Sequence, residues 1–154
     1  MVFLLFQSFH KSIYVGSIAS LLSTYGAFTE PVILRYMKQM LQGLSYLHDN
    51  HVLHRDLKGA NLLIDKDGHT LKIADFGAAA YLASPGRGTV SGELQGQLTG
   101  TVAFMAPEVL RGDHYGRKCD VWSVGCCVIE MASAKPPWDQ MKVTNHLALM
   151  FKAS

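Results

Sequence analysis

Residues 119–134, CDVWSVGCCVIEMASA, carry only two charged groups, Asp120 and Glu130, and are apolar nearly all round a helical wheel. A helix of that composition is stable only when neighbours cover it, so the rest of the chain must be arranged around it. The run is therefore expected to be a central pillar, buried on every side. At 154 residues the chain has the size of one domain and can bury a core of this kind.

The elements that would surround the pillar are legible from spacing. Ser17 to Tyr25 reads as a short helix. Thr29, Glu30 and Pro31 form a helix start, because proline is tolerated where the first N–H groups have no partner. Val32, Tyr36, Met40, Leu44 and Leu47 recur at helical spacing, which predicts a helix to about His48 with one inward face. LLID, KDGH and TLKIA then read as two short strands around an Asp-Gly turn. From Ala78 to Met105 the chain is rich in Gly, Ser and Thr without periodicity, a loop long enough to be expected as a regulated or disordered segment. Lys135, Pro136, Pro137 and Trp138 end the pillar, and Asn145 to Lys152 is expected to begin another helix. The fold class is mainly α with a small β-hairpin.

Composition narrows the partners. Fourteen basic against twelve acidic residues leave a formal charge of +2, too small a bias to argue for nucleic acid or an acidic membrane surface. Apolar residues make up 49% and charged ones 17%, so some apolar surface is expected to meet a partner. Cys119, Cys126 and Cys127 are an odd set with an adjacent pair inside the pillar, which points to a reducing cytoplasm. MVFLLFQSF lacks a basic residue ahead of its apolar run and is soon interrupted by His10 and Lys11, so it is not read as a signal peptide. Ser12 to Thr29 is uncharged, but its serines, threonines and glycines make it too polar for a membrane span.

Chemistry concentrates in HRDLKGAN (54–61) and ADFG (74–77). Phosphoryl transfer needs cations on the phosphates and a carboxylate that orients the attacking hydroxyl. Asp56 would accept that hydroxyl's proton, and Lys58 would neutralise phosphate charge. Asn61 and Asp75 supply the oxygen ligands that Mg²⁺ prefers. A lone loop aspartate is more often a turn or cap residue. The ordered series HRDLKGAN, ADFG, GTVAFMAPE and DVWSVG makes coincidence a poor account.

On HRDLKGANLLI, IADFGAAA, GTVAFMAPEVLRG and DVWSVGCCVIEMASAKPPW the chain resembles protein serine/threonine kinases of the MAP kinase kinase kinase family. The resemblance runs from about Gly16 to the C-terminus as a partial kinase domain, and residues 1–15 match poorly. It implies a kinase C-terminal lobe, with ATP and Mg²⁺ as cofactors and Ser or Thr of a MAP kinase kinase as acceptor. It also implies that Asp56 is the catalytic base, that Lys58 contacts the γ-phosphate and favours Ser/Thr acceptors, and that Asn61 and Asp75 bind magnesium. Leu63 would lie under the adenine, Thr101 would help hold the acceptor site, and Asp120 would brace the HRD backbone. Glu108 would pair with an arginine of the lobe's last helices, which fall beyond the point where the chain stops. Arg55, beside the base, is suited to clamp a phosphorylated loop through bidentate contacts. Thr89, Ser91 and Thr99 are the candidate phosphate carriers, each equally well read as an ordinary polar loop residue.

Such a kinase also needs a glycine-rich loop, a strand lysine and a helical glutamate, and none is found ahead of Thr29. Gly86, Gly88 and Gly92 have the wrong spacing, and Lys72 runs directly into ADFG, so neither supplies them. The expectation is the floor of an ATP cleft without its roof: negligible activity for the chain alone, exposed apolar flanks, and poor solubility or chaperone binding. The alternatives are a non-catalytic interaction module that competes with the full kinase, and a fragmentary gene prediction. His48, His51 and His54 recur every third residue, but the last two lie past the helix end, which argues against a shared metal. Asp56 with Asp75 would also suit a glycosidase, though nothing else supports sugar chemistry.

Overall fold

Helix caps and turn chemistry set the first elements. In a computed structural model, which describes residues 14–82 and 99–139, strand β1 (Tyr14–Ser17) leads into α1 (Ile18–Tyr25). The Ser17 hydroxyl accepts the Ser20 N–H at 3.2 Å and caps that helix. Helix α2 (Glu30–Asp49) begins with Glu30 and Pro31 in its first turn, where an acid complements the helix dipole and proline removes no bond. Its buried stripe is Tyr36, Met40, Leu44 and His48, one residue in four, and Val32 and Leu47 flank it half-buried.

Strand β2 (Val52–Leu53) precedes the HRD segment, and a 3₁₀ turn, Gly59–Asn61, leads into β3 (Leu62–Asp65). β3 pairs antiparallel with β4 (Leu71–Ile73), so the expected hairpin forms, with Leu62 opposite Ile73. Asp65 closes the turn by accepting the His69 and Thr70 N–H groups. Gly68 takes φ +72° there, a conformation in which a side chain is strained.

The sheet is larger than that hairpin. β1 adds antiparallel to β3 across a bulge between Tyr14 and Gly16, giving the order β1-β3-β4. A second ladder joins β2 to β5 (Ala80–Tyr81), inside the stretch expected to be loop. Residues 83–98 of that stretch, the first thirteen residues and Asn145 to Lys152 lie outside the described residues.

After a 3₁₀ turn at Val102–Phe104 come α3 (Pro107–Leu110) and α4 (Lys118–Ser133). α4 buries Cys119, Asp120, Ser123, Val124, Cys126, Cys127 and Met131. The expectation of burial on every side fails among the described residues, because Val121, Trp122 and Ile129 are exposed. Its described neighbours include α2, the 59–61 turn and the 102–104 turn. The Ser123 hydroxyl donates to Phe104 O at 2.8 Å, and the Trp138 indole donates to Ala103 O at 3.2 Å, so that turn is held at two points. The main core joins α1, α2, the three-stranded sheet and α4, and a smaller one gathers Leu53, Leu82, Ala106, Tyr115 and Cys119. No helix of the described residues is long and apolar enough to cross a membrane.

Candidate active site

In and around the HRD and ADFG motifs the backbone is bent in ways its residues do not prefer. His51, Arg55 and Asp75 adopt φ of +60°, +66° and +62°. Each such non-glycine residue costs on the order of 1 kcal/mol or more and persists only where surrounding contacts enforce it.

The enforcing group at Arg55 is Asp120, fully buried on α4. Its Oδ1 accepts the Arg55 N–H at 2.8 Å, and its Oδ2 accepts the His54 N–H at 3.0 Å and meets His48 Nε2 at 2.9 Å. One carboxylate thus ties α2, α4 and the HRD backbone together. His54 Nε2 lies 3.0 Å from Ala74 O, and its ring packs edge-on to Phe76, which links HRD to ADFG. Burial pushes the His54 imidazole below its ordinary pKa, and the Ala74 contact opposes part of that.

Around Asp56 three of the expected residues converge. Oδ1 accepts both the N–H and the hydroxyl of Thr101, each at 2.9 Å. Oδ2 accepts Lys58 Nζ at 2.8 Å and Asn61 Nδ2 at 3.2 Å. Lys58 also donates to the Thr101 hydroxyl at 2.7 Å, and Asn61 Nδ2 donates to Asp56 O at 2.8 Å. The approach of Thr101 depends on Gly100, with φ +115°, where a Cβ would stand 2.5 Å from Arg55 O. Asp75 is exposed one residue beyond Ala74, whose N–H donates to Asn61 O at 2.8 Å, and its own Oδ1 accepts the Gly77 N–H.

The other expected residues are placed as follows. Leu63 is half-buried on β3, opposite Ser17 on one side and Lys72 on the other. Lys72 Nζ lies 5.6 Å from the Tyr14 ring centroid, a cation–π contact. Glu108 sits in the first turn of α3. The Arg55 guanidinium donates to Ala78 O at 2.6 Å and to the Tyr115 hydroxyl at 3.2 Å, and Thr99 lines the same small cavity. Thr89 and Ser91 lie outside the described residues. The three histidines diverge: His48 goes to Asp120, His54 to Ala74, and His51 to Arg117.

The protein kinase domain family matches residues 9–153. The chain belongs to the protein kinase family. Over 137 residues it is 69% identical to mitogen-activated protein kinase kinase kinase 1 of Mus musculus and of Homo sapiens, covering 89% of this chain and 9% of each relative. It is 47% identical to mitogen-activated protein kinase kinase kinase 3 of Homo sapiens, covering 89% of this chain and 21% of the relative. The chain therefore spans a small part of these curated relatives. The family it belongs to generally uses ATP and Mg²⁺.

The residues of this kinase chain suit that chemistry. Asn61 and Asp75 offer an amide and a carboxylate oxygen, hard donors of the kind Mg²⁺ takes alongside phosphate oxygens and water. Spacing rules overlooked His48 as a site residue. The signal was its place four residues after Leu44 in the inward stripe, where a buried histidine requires a polar partner.

Burial alone would raise the Asp56 carboxyl, but hydrogen bonds from Lys58 and Thr101 outweigh it and hold the group below the ordinary carboxylate value. A carboxylate depressed in the folded kinase contributes stability that is complete above its unfolded pKa, near about 4, and lost as pH falls through the folded value. Urea unfolding of the wild type is therefore expected to weaken more steeply than that of Asp56→Asn between about pH 5 and about pH 2. Parallel slopes for the two proteins would contradict this.

Proposed function

We propose that residues 16–154 are the acceptor-side lobe of a Mg·ATP-dependent serine/threonine kinase of the MAP kinase cascade, phosphorylating Ser or Thr of a MAP kinase kinase in the cytoplasm. The convergence of Lys58, Asn61 and Thr101 on the Asp56 carboxylate carries this reading. When bound, Mg·ATP would supply the electrophilic phosphorus and charge neutralisation, with Asn61 and Asp75 holding the metal. Two carboxylate oxygens offer about four acceptor positions. Those of Asp56 receive donors from Thr101 N, Thr101 Oγ1, Lys58 Nζ and Asn61 Nδ2. An acceptor hydroxyl must displace one of these before Asp56 can take its proton. Lys58, on a flexible stem, is the donor able to leave, and a phosphate oxygen is the partner that would draw it away.

Alone, this polypeptide is expected to transfer phosphate at a negligible rate, because residues 1–154 contain no glycine-rich loop and no strand lysine to grip the nucleotide. Purified chain given Mg·ATP and a MAP kinase kinase should incorporate no more phosphate than its Asp56→Ala variant. Asp56-dependent incorporation would refute the expectation. The exposed Val121, Trp122 and Ile129 on α4 favour a second reading, an interaction module that also attracts chaperones. Calorimetric titration with Mg·ATP separates the two, since only the kinase reading requires binding.

A further inference from the structure

Glu130 breaks a local rule. It lies in the last turn of α4, where the helix end carries partial negative charge and favours a cation. It is also half-buried, and burial raises its carboxyl, with a backbone hydrogen bond from Gly59 opposing part of the effect. Residues that defy their local setting mark places where another demand prevails.

That demand is visible at Gly59. Its N–H donates to Glu130 Oε2 at 2.9 Å. Gly59 opens the 3₁₀ turn that carries Asn61, and the first N–H of such a turn has no partner within it. The far end of the turn is closed by Asn61 N–H donating to Lys58 O at 2.9 Å. A Cβ at position 59 would lie 2.5 Å from Oε2 and 2.9 Å from Cδ of Glu130. Gly59 is not among the positive-φ residues, so what the glycine supplies is room for the carboxylate.

We propose that Glu130 is a positioning residue for phosphoryl transfer: it clamps the 59–61 turn onto α4, so that Lys58 and Asn61 reach Asp56 from a fixed backbone. The catalytic consequence rests on the kinase reading, whereas the clamp itself is open to test without it.

The test uses the ¹⁵N-labelled 154-residue chain, with amide exchange at residue 59 as one arm and Mn²⁺·ATP broadening of the Asn61 side-chain amide as the other. Glu130→Ala should speed exchange at residue 59 about tenfold and weaken Mn²⁺·ATP binding by on the order of tenfold. Glu130→Gln keeps an acceptor oxygen and should stay near the native values in both arms, whereas Glu130→Leu, which keeps bulk without an acceptor, should behave like Glu130→Ala. Gly59→Ala should behave like Glu130→Ala, and the double variant should be less impaired than the two single effects combined, because alanine at 130 removes the obstacle. Unchanged exchange in Glu130→Ala, or a Gln variant as impaired as Ala, overturns the clamp. Should Glu130→Ala fail to fold, the contrast between Gly59→Ala and Glu130→Gln decides in the same way. Absence of Mn²⁺·ATP broadening in the native chain counts against the kinase reading, and the exchange arm still decides the clamp.

Discussion

Asp120→Ala is expected to lower the unfolding free energy by about 3–5 kcal/mol, the usual result of removing one partner from a buried charged network. Three nitrogen donors converge on this carboxylate and would lose their acceptor: the backbone N–H groups of His54 and Arg55, and His48 Nε2. Arg55 would also lose the contact that holds its φ at +66°. Single domains are typically stable by only about 5–15 kcal/mol, so the loss is a large share of the total. Asp120→Asn retains one oxygen for three donors and should fall between wild type and alanine. Urea unfolding followed by far-UV circular dichroism measures all three, and a change below about 1 kcal/mol for alanine would contradict the reading of Asp120 as a hub.

A second large effect concerns the nucleotide-gripping side of the cleft. Fusing the upper lobe of a MAP kinase kinase kinase, with its glycine-rich loop and strand lysine, ahead of Tyr14 should give Mg·ATP-dependent transfer well above that of residues 1–154 alone. Within that fusion Asp56→Asn should reduce kcat by about 10²–10⁴. KM for ATP should change little if, as proposed, Asp56 acts on the acceptor hydroxyl and does not grip the nucleotide. Full activity of the Asp56→Asn fusion would remove Asp56 from the role of base, even with the lobe correctly docked.

Local chemistry made much of this lobe readable. The Ser17 cap, Pro31 in a first turn and the Asp65–Gly68 turn each act within a few residues, so their neighbours in sequence are their neighbours in space. The features that escaped reading are long-range. β1 joins β3 across nearly fifty positions and through a bulge, and no periodicity in YVGS announces it. The two-residue ladder of β2 and β5, which sets Val52 beside Tyr81, is too short to leave a pattern. α4 looked uniformly buried because Val121, Trp122 and Ile129 are as apolar as its inward residues, and composition does not say where neighbours stand. Within the site, motif order pointed to Asp56, Lys58 and Asn61, and the family resemblance to Thr101, and the four meet. It was silent on Glu130, whose partner is a backbone N–H seventy-one positions away.

All three cysteines of the chain lie on α4, buried, and burial raises each thiol: Cys126 to about 11, Cys119 and Cys127 further still. At neutral pH they offer a reagent neither access nor thiolate. Alkylation therefore waits for α4 to leave its seat, and the labelling rate counts those departures. The same helix carries Asp120 and Glu130, the two side chains that hold the HRD segment and the 59–61 turn. A thiol probe thus doubles as a clock for the geometry around Asp56, registering each moment at which the HRD segment and the 59–61 turn lose their common anchor.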